Sequence, residues 1–306
     1  MLNLLLPVFL LAGVGALLVR LPWLRAGWHT GVTELTARFL VPVLLFAGAY
    51  RTGMPQSMSW KVLCAFYLPL GAIFIGARLL ARRSGAGAGA AAALAATYSN
   101  TVFVGVPVLV QVLGPGSLQF AYPVIAFHSL FCFTLYHLSE DAAPAGWLQP
   151  VLNTLRNPIV AALLLGLALN LCHVALPPQL MRALDLLGAG ALTCALLSLG
   201  ASVAALMPGQ WLRTSLIVAA KLVLLPLGVA VLAMGVFHLP KPAAMVLVVL
   251  ASCPVGVNAA FVVQASSADA NADAFAGGQL VKSAILLSTL FSALTIPAWL
   301  WMLRQL

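Results

Sequence analysis

Long apolar stretches alternate with short polar connections along this chain. Stretches near 20 apolar residues, the length a helix needs to cross a hydrocarbon core, fall at 2–19, 31–50, 60–81, 88–113, 118–138, 157–176, 180–205, 211–237, 242–265 and 277–303. They predict an all-α polytopic membrane protein with ten transmembrane helices. The first segment has no basic residues before it and no small-residue cleavage site after it, so it reads as a retained helix. Two segments are interrupted. The fourth contains Tyr98-Ser99-Asn100-Thr101-Val102-Phe103-Val104-Gly105-Val106-Pro107, and the ninth contains Ala251-Ser252-Cys253-Pro254-Val255-Gly256-Val257-Asn258. A helix broken at membrane depth frees backbone groups that lipid cannot satisfy. Such breaks persist only inside protein or beside a cavity.

The halves of the chain repeat one another. Pro7 and Gly15 match Pro158 and Gly166; Leu44-Leu45 with Gly48 match Leu196-Leu197 with Gly200; Pro69-Leu70-Gly71 match Pro226-Leu227-Gly228; Pro107 matches Pro254. The matches keep their order and nearly constant spacing. They divide the chain into a first five-helix repeat (1–138), a central cytoplasmic loop (139–156) and a second five-helix repeat (157–306). Five is odd, so the second repeat inserts upside-down relative to the first. Inverted repeats with crossed broken helices 4 and 9 are the architecture of secondary transporters.

Composition agrees with this reading. The chain is 63% hydrophobic and 7% charged, against about 25% charged in soluble domains, and its mean hydropathy is +1.08. All seven Trp lie in or near connections and segment ends, as in an interfacial belt. The net charge of +9 is dispersed. It reflects topology and contact with lipid headgroups, not nucleic-acid binding. Counting basic residues places Arg20, Arg25, Arg78, Arg82, Arg83, Arg156 and Arg213 inside, with both termini outside. The five cysteines form no CxxC pair, so neither a metal site nor a disulfide framework is expected. No cofactor is implied.

The chemistry concentrates at the interruptions. Pro favours the first turn of a helix, so a half-helix can begin at Pro107 and another beyond Gly256-Val257-Asn258. Their N-termini carry free N–H groups and partial positive charge, which together suit a carboxylate. Asn100, Thr101 and Asn258 add neutral donors and acceptors, while Gly105, Pro254 and Gly256 shape the backbone. Three ionisable groups lie deep enough to take part in coupling or charge compensation. Lys221 sits where it can hold an anion or pair with broken-helix carbonyls. Lys282 is placed to snorkel to the surface or to stand in for a coupling cation, and His128 is a mid-span group that can exchange a proton. Glu34 and Asp185 are the carboxylates within spans, both near segment ends. Asp269, Asp273, Glu140 and Asp141 read as solvated. The run Gly85-Ala86-Gly87-Ala88-Gly89 follows no strand, so it is not a nucleotide loop and instead permits close helix packing or hinge motion at the start of the fourth helix.

With Asn100-Thr101-x-x-x-Gly105-x-Pro107 in the fourth helix, Pro254-x-Gly256-Val257 in the ninth, and Leu287-Ser288-Thr289-Leu290 through Ile296-Pro297 in the last, the chain resembles the auxin efflux carrier family. That family includes the plant PIN-formed carriers and bacterial organic-acid permeases such as malonate carriers. The resemblance covers nearly the whole chain. It implies a scaffold of helices 1, 2, 6 and 7, and a mobile transport domain of helices 3–5 and 8–10 that binds a small organic anion at the crossing prolines. It also implies an elevator mechanism, a homodimer and a place in the cell's inner (plasma) membrane. Plant members have a long hydrophilic central loop that this chain lacks, and a bulkier stretch at Asn258-Ala259, which points toward a bacterial-type carrier. Two further readings compete. A sodium symporter of the bile-acid type needs acidic ligands near Asn100 and Asn258. An intramembrane enzyme needs a nucleophile with its base; Ser99 and His128 are the candidate pair, and no HExxH or paired aspartates are present.

Overall fold

The computed structural model describes residues 10–11, 13–21, 24, 28–52, 59–83, 88–139, 152, 155–156, 158–203, 211–266 and 272–305. The start of the first expected span, most of the central loop including Glu140 and Asp141, residues 84–87 of the glycine run and Asp269 lie outside them. Among the described residues the regular structure is helical. Residues 13–18 are helical, and the helices that follow are α1 (Trp28–Arg51), α2 (Trp60–Arg83), α3 (Gly89–Thr97), α4 (Val106–Leu113), α5 (Leu118–Leu138), α6 (Pro158–Leu171), α7 (Pro178–Val203), α8 (Trp211–Val236), α9 (Lys241–Ser252), α10 (Asn258–Ser266) and α11 (Ala272–Gln305).

Five helices among the described residues are long and apolar enough to cross a membrane: α1, α2, α5, α8 and α11. The expected spans 88–113 and 242–265 are each divided, into α3 with α4 and α9 with α10, and no single piece reaches the required length. Helices suit this setting because each satisfies its own backbone. Their outward faces are apolar: Leu80, Leu186, Leu212 and Leu294 are more than two-thirds exposed. In water such surfaces would be costly, whereas against lipid tails they are the expected finish. The protein is a multi-pass membrane protein. Trp60, Trp211 and Trp301 are exposed near helix ends, as an interfacial belt requires. Trp299 departs from that expectation. It is buried and donates from Nε1 to the Leu222 carbonyl at 2.9 Å. Residues 220–224 form a wide π-turn, and its displaced carbonyl needs a donor from outside the helix.

Contacts divide the chain into two units. One contains α2–α5 and α8–α11; the other contains residues 13–18, α1, α6 and α7. In the second unit, helices approach at glycines. A Cβ on Gly15 would strike the Leu197 carbonyl, and one on Gly166 would strike the Phe46 carbonyl. Tyr50 joins the far ends: its hydroxyl donates to the Val174 carbonyl at 2.9 Å and accepts the Leu176 N–H at 3.0 Å. Asp185 pairs with Arg51, and Glu34 with Arg38.

In the first unit, buried Arg78 donates from Nε and Nη2 to the Ser139 carbonyl at 3.1 and 3.0 Å. A cation there satisfies the orphaned end of α5 and complements its dipole. Gly89 leaves the necessary room, since a Cβ at that position would lie 2.7 Å from Arg78 Nη1. Here the expected packing role of the glycine run falls on a described residue.

Candidate functional site

The two interruptions meet. Tyr98 is extended at the end of α3, and Ser99 pairs antiparallel with Val255. The Asn100 N–H donates to the Pro254 carbonyl at 2.8 Å, and the Gly256 N–H donates to the Tyr98 carbonyl at 3.1 Å. Each break thus supplies what the other lacks, a two-residue β-bridge in a helical protein. The pairing is buried throughout 98–101 and 251–260. The amides facing away from the bridge are also met. Ser99 N–H donates to His128 Nε2 at 2.8 Å, and Val255 N–H donates to Ser288 Oγ at 2.9 Å. One acceptor comes from α5 and the other from α11.

Glycine is required at Gly256 by the approach of the other break. A Cβ there would lie 2.5 and 2.7 Å from Tyr98 Cε1 and Cδ1. The Tyr98 ring fills that space and stacks on His128 with centroids 4.9 Å apart. Its hydroxyl is shared with Ser129 Oγ at 2.9 Å and receives Asn258 Nδ2 at 3.4 Å. Gly105 meets Leu250 in the same way, a Cβ there lying 2.8 Å from Leu250 Cδ2.

The chain resumes a helix at once after the first break. Residues Thr101–Gly105 form a π-turn that leads into α4, and the Asn100 carbonyl accepts the amides of Val104 and Gly105 at 3.3 and 3.1 Å. The half-helix therefore begins at Thr101, not at Pro107 as the sequence suggests. Pro107 follows where the π-turn passes into α4. The equivalence of Pro107 with Pro254 also fails, because Pro254 lies in the pairing and Pro107 does not. After the second break, α10 begins at Asn258. Two polar atoms at the pairing are buried with no described partner: Ser99 Oγ and Asn258 Oδ1.

A model of one protein family, described as membrane transport protein, matches residues 148–300, half of the chain. The chain belongs to this family of membrane transport proteins. Auxin efflux carriers belong to the same family, as the resemblance of the break motifs implies. No curated protein matched the chain. The protein is accordingly a membrane transporter.

In this transporter the pairing brings Asn100, Thr101, Pro254, Gly256 and Asn258 together, with Gly105 packed beside it. Of the three deep ionisable groups, two reach it. His128 is buried and uses Nε2 as an acceptor, so that nitrogen carries no proton. Its bond is to the backbone of Ser99, not to the hydroxyl. Lys221 is fully buried and donates to the Ala251 carbonyl at 2.5 Å, the broken-helix contact that its depth suggested. Lys282 is only partly buried. It precedes Ser288 by six residues, about 9 Å of helix rise, and Ser288 is the α11 residue that touches the pairing. Tyr98 and Ser288 were not singled out by sequence reasoning, and Ser99 only as the nucleophile of the enzyme reading. The signal available for Ser99 and Ser288 was their place in the break and last-helix motifs.

Proposed function

We propose that this transporter is a secondary carrier of small organic anions, mono- or dicarboxylates, and that the carboxylate binds at the paired breaks. The observation that carries the reading is a buried β-bridge flanked by two helix starts, Thr101 and Asn258, with Ser99 Oγ and Asn258 Oδ1 buried and unpartnered beside it. Helix N-termini favour anions through their amides and dipole. The Ser99 hydroxyl can donate to a carboxylate, and the Asn258 amide offers either a donor or an acceptor according to which end faces Tyr98. Lys221 adds positive charge to the same region.

The inverted ten-helix architecture belongs to this proposal. A shift of 156 residues takes Ser99 to Val255 and so sets the two breaks against one another. Thr97 Oγ1 donates to the Ala93 carbonyl at 2.8 Å, and Cys253 Sγ, 156 residues later, donates to the Val249 carbonyl at 3.2 Å. In the second unit a shift of 151 takes Gly15 to Gly166 and Phe46 to Leu197, exchanging the two glycine contacts. Such reciprocity supports two repeats related by a pseudo-two-fold axis. The first unit is the proposed transport domain, the second the proposed scaffold, and movement of one against the other is the proposed elevator step. The partition of helices into these units supports that assignment.

The test is ligand-dependent thermal stabilisation of the detergent-purified protein, followed by uptake into proteoliposomes. The panel holds malonate, acetate, indole-3-acetate, bile acids and the corresponding amides. Saturable stabilisation by a carboxylate and not by its amide is expected, with transport that needs no imposed sodium or proton gradient. Stabilisation confined to neutral or cationic compounds would remove the carboxylate site. Strict dependence on an ion gradient would remove the uncoupled mechanism.

A further inference from the structure

The ends of α3 and α9, where the helices stop before the pairing, each present carbonyls that have no intrahelical partner. At the end of α9 the Val249 and Ala251 carbonyls are answered by side chains, and the Pro254 carbonyl beyond it by the other break. Val249 accepts Ser252 Oγ at 2.9 Å and Cys253 Sγ at 3.2 Å, Pro254 accepts the Asn100 N–H, and Ala251 accepts the Lys221 ammonium. Lys221 reaches Ala251 from the π-turn Ala220–Leu224, which packs against α3, α9 and α11. The ammonium is therefore buried at the C-terminal end of α9, which carries partial negative charge, and the turn that bears it also packs on α3. No ion pair joins it to a carboxylate among the described residues. The repeat does not supply a counterpart, since the positions 156 and 157 residues earlier are Ala65 and Cys64.

Half-helix C-termini and unwound carbonyls are where ion-coupled carriers hold a coupling cation. We propose that Lys221 is a built-in counter-cation: its ammonium fills a cation site at the end of α9, so the anion binds without an added metal cation. The proposal rests on the anion-carrier reading for its function, but the site itself is testable without any substrate. A free lysine could have been placed on a helix face to snorkel; one spent on a single carbonyl at the end of a broken helix is placed by the need for charge there.

Full-length protein is compared with Lys221→Ala, Lys221→Met and Lys221→Arg. Wild-type melting temperature is expected to be indifferent to exchange of choline for sodium at fixed ionic strength. Lys221→Ala is expected to melt at least 5 °C lower and to regain half or more of that loss in millimolar methylammonium or sodium, but not in tetramethylammonium, which is too large for the vacated site. Lys221→Met, close in shape and uncharged, is expected to fold and to lose at least tenfold in affinity for malonate, or for whichever panel carboxylate stabilises the wild type. Lys221→Arg is expected to lose less than Met. A folded Lys221→Ala that no small cation stabilises, or a Lys221→Met that binds the carboxylate as the wild type does, would overturn the proposal. If no carboxylate stabilises even the wild type, the anion-carrier reading fails, while cation rescue of Lys221→Ala still decides whether the site exists.

Discussion

Replacing Gly256 by Ala is the sharpest test of the paired breaks. The new methyl would lie 2.5 Å from Tyr98 Cε1, 2.7 Å from Cδ1 and 3.3 Å from the Ser99 carbonyl. The ring cannot simply move aside. One face stacks on His128 at 4.9 Å, Phe133 is tilted against it at 5.0 Å, and the hydroxyl is held by Ser129. Two outcomes remain, a strained core or a separated bridge. Overpacking of a dense interior costs about 1–3 kcal/mol. Separation instead leaves the Gly256 N–H and Tyr98 carbonyl buried without partners, which costs about 1–3 kcal/mol. At roughly 2–4 °C per kcal/mol, either outcome should lower the melting temperature by about 2–12 °C. The matched control is Gly278→Ala, also in the first unit, where a Cβ meets nothing within 4 Å. Alanine there should be neutral or stabilise by about 0.5–1 kcal/mol through helix propensity. Tryptophan fluorescence melts in detergent read both variants. Equal melting temperatures for the two would refute the pairing as described, whatever either does to transport.

Three further outcomes follow from the same hydrogen bonds and from the second unit. Ser288→Ala removes the acceptor of the Val255 N–H and should cost about 1–3 kcal/mol; His128→Ala does the same to Ser99 and should cost more, because the ring stacked on Tyr98 goes with it. A Ser288→Ala melt indistinguishable from wild type would mean that the Val255 amide has another partner. The Arg51–Asp185 pair has half-exposed side chains, so a double-mutant cycle on stability should return a coupling below about 1 kcal/mol, and a coupling of several kcal/mol would mean the pair is sheltered from water.

The membrane class and the breaks were legible in the sequence because both are violations of a uniform background. Gly, Pro and Asn clustered within a few residues of an apolar stretch weaken a continuous helix far more than any one of them alone. What sequence could not give was the partner of each freed group. Pro107 drew attention as a helix start, yet the start is Thr101, because the Asn100 carbonyl becomes available as soon as the bridge ends. At the breaks the sequence pairs Pro107 with Pro254, whereas the hydrogen bonds pair Ser99 with Val255. His128 looked like a proton carrier by depth alone, and its use as an acceptor for a backbone amide 29 residues away depends on tertiary packing. Ser288 gave still less sign, since a serine in a helix commonly bonds back to its own turn, as this one also does to Ile285. Lys221 was the exception: a charge that deep must have a partner, and broken-helix carbonyls were one of two on offer.

If the two breaks are related by the proposed repeat, the departures from it are informative. Neither break is tolerable alone, because the bridge amides and carbonyls of one are satisfied only by the other. That requirement binds the backbone and leaves side chains free to differ. They do differ at the positions closest to the pairing. The 156-residue shift sets Asn100 against Gly256, Thr101 against Val257, Val102 against Asn258, and Lys221 against Ala65. A symmetric lining would present the same groups twice and could not tell one end of a small ligand from the other. Here one half gives an amide and a hydroxyl immediately after its bridge residue, while the other gives a bare glycine and an amide two residues later. The charge comes from the second half alone. The selectivity of the proposed carrier should therefore respond to exchanges between paired positions, and the single charge makes Lys221 the position at which an exchange has the largest effect.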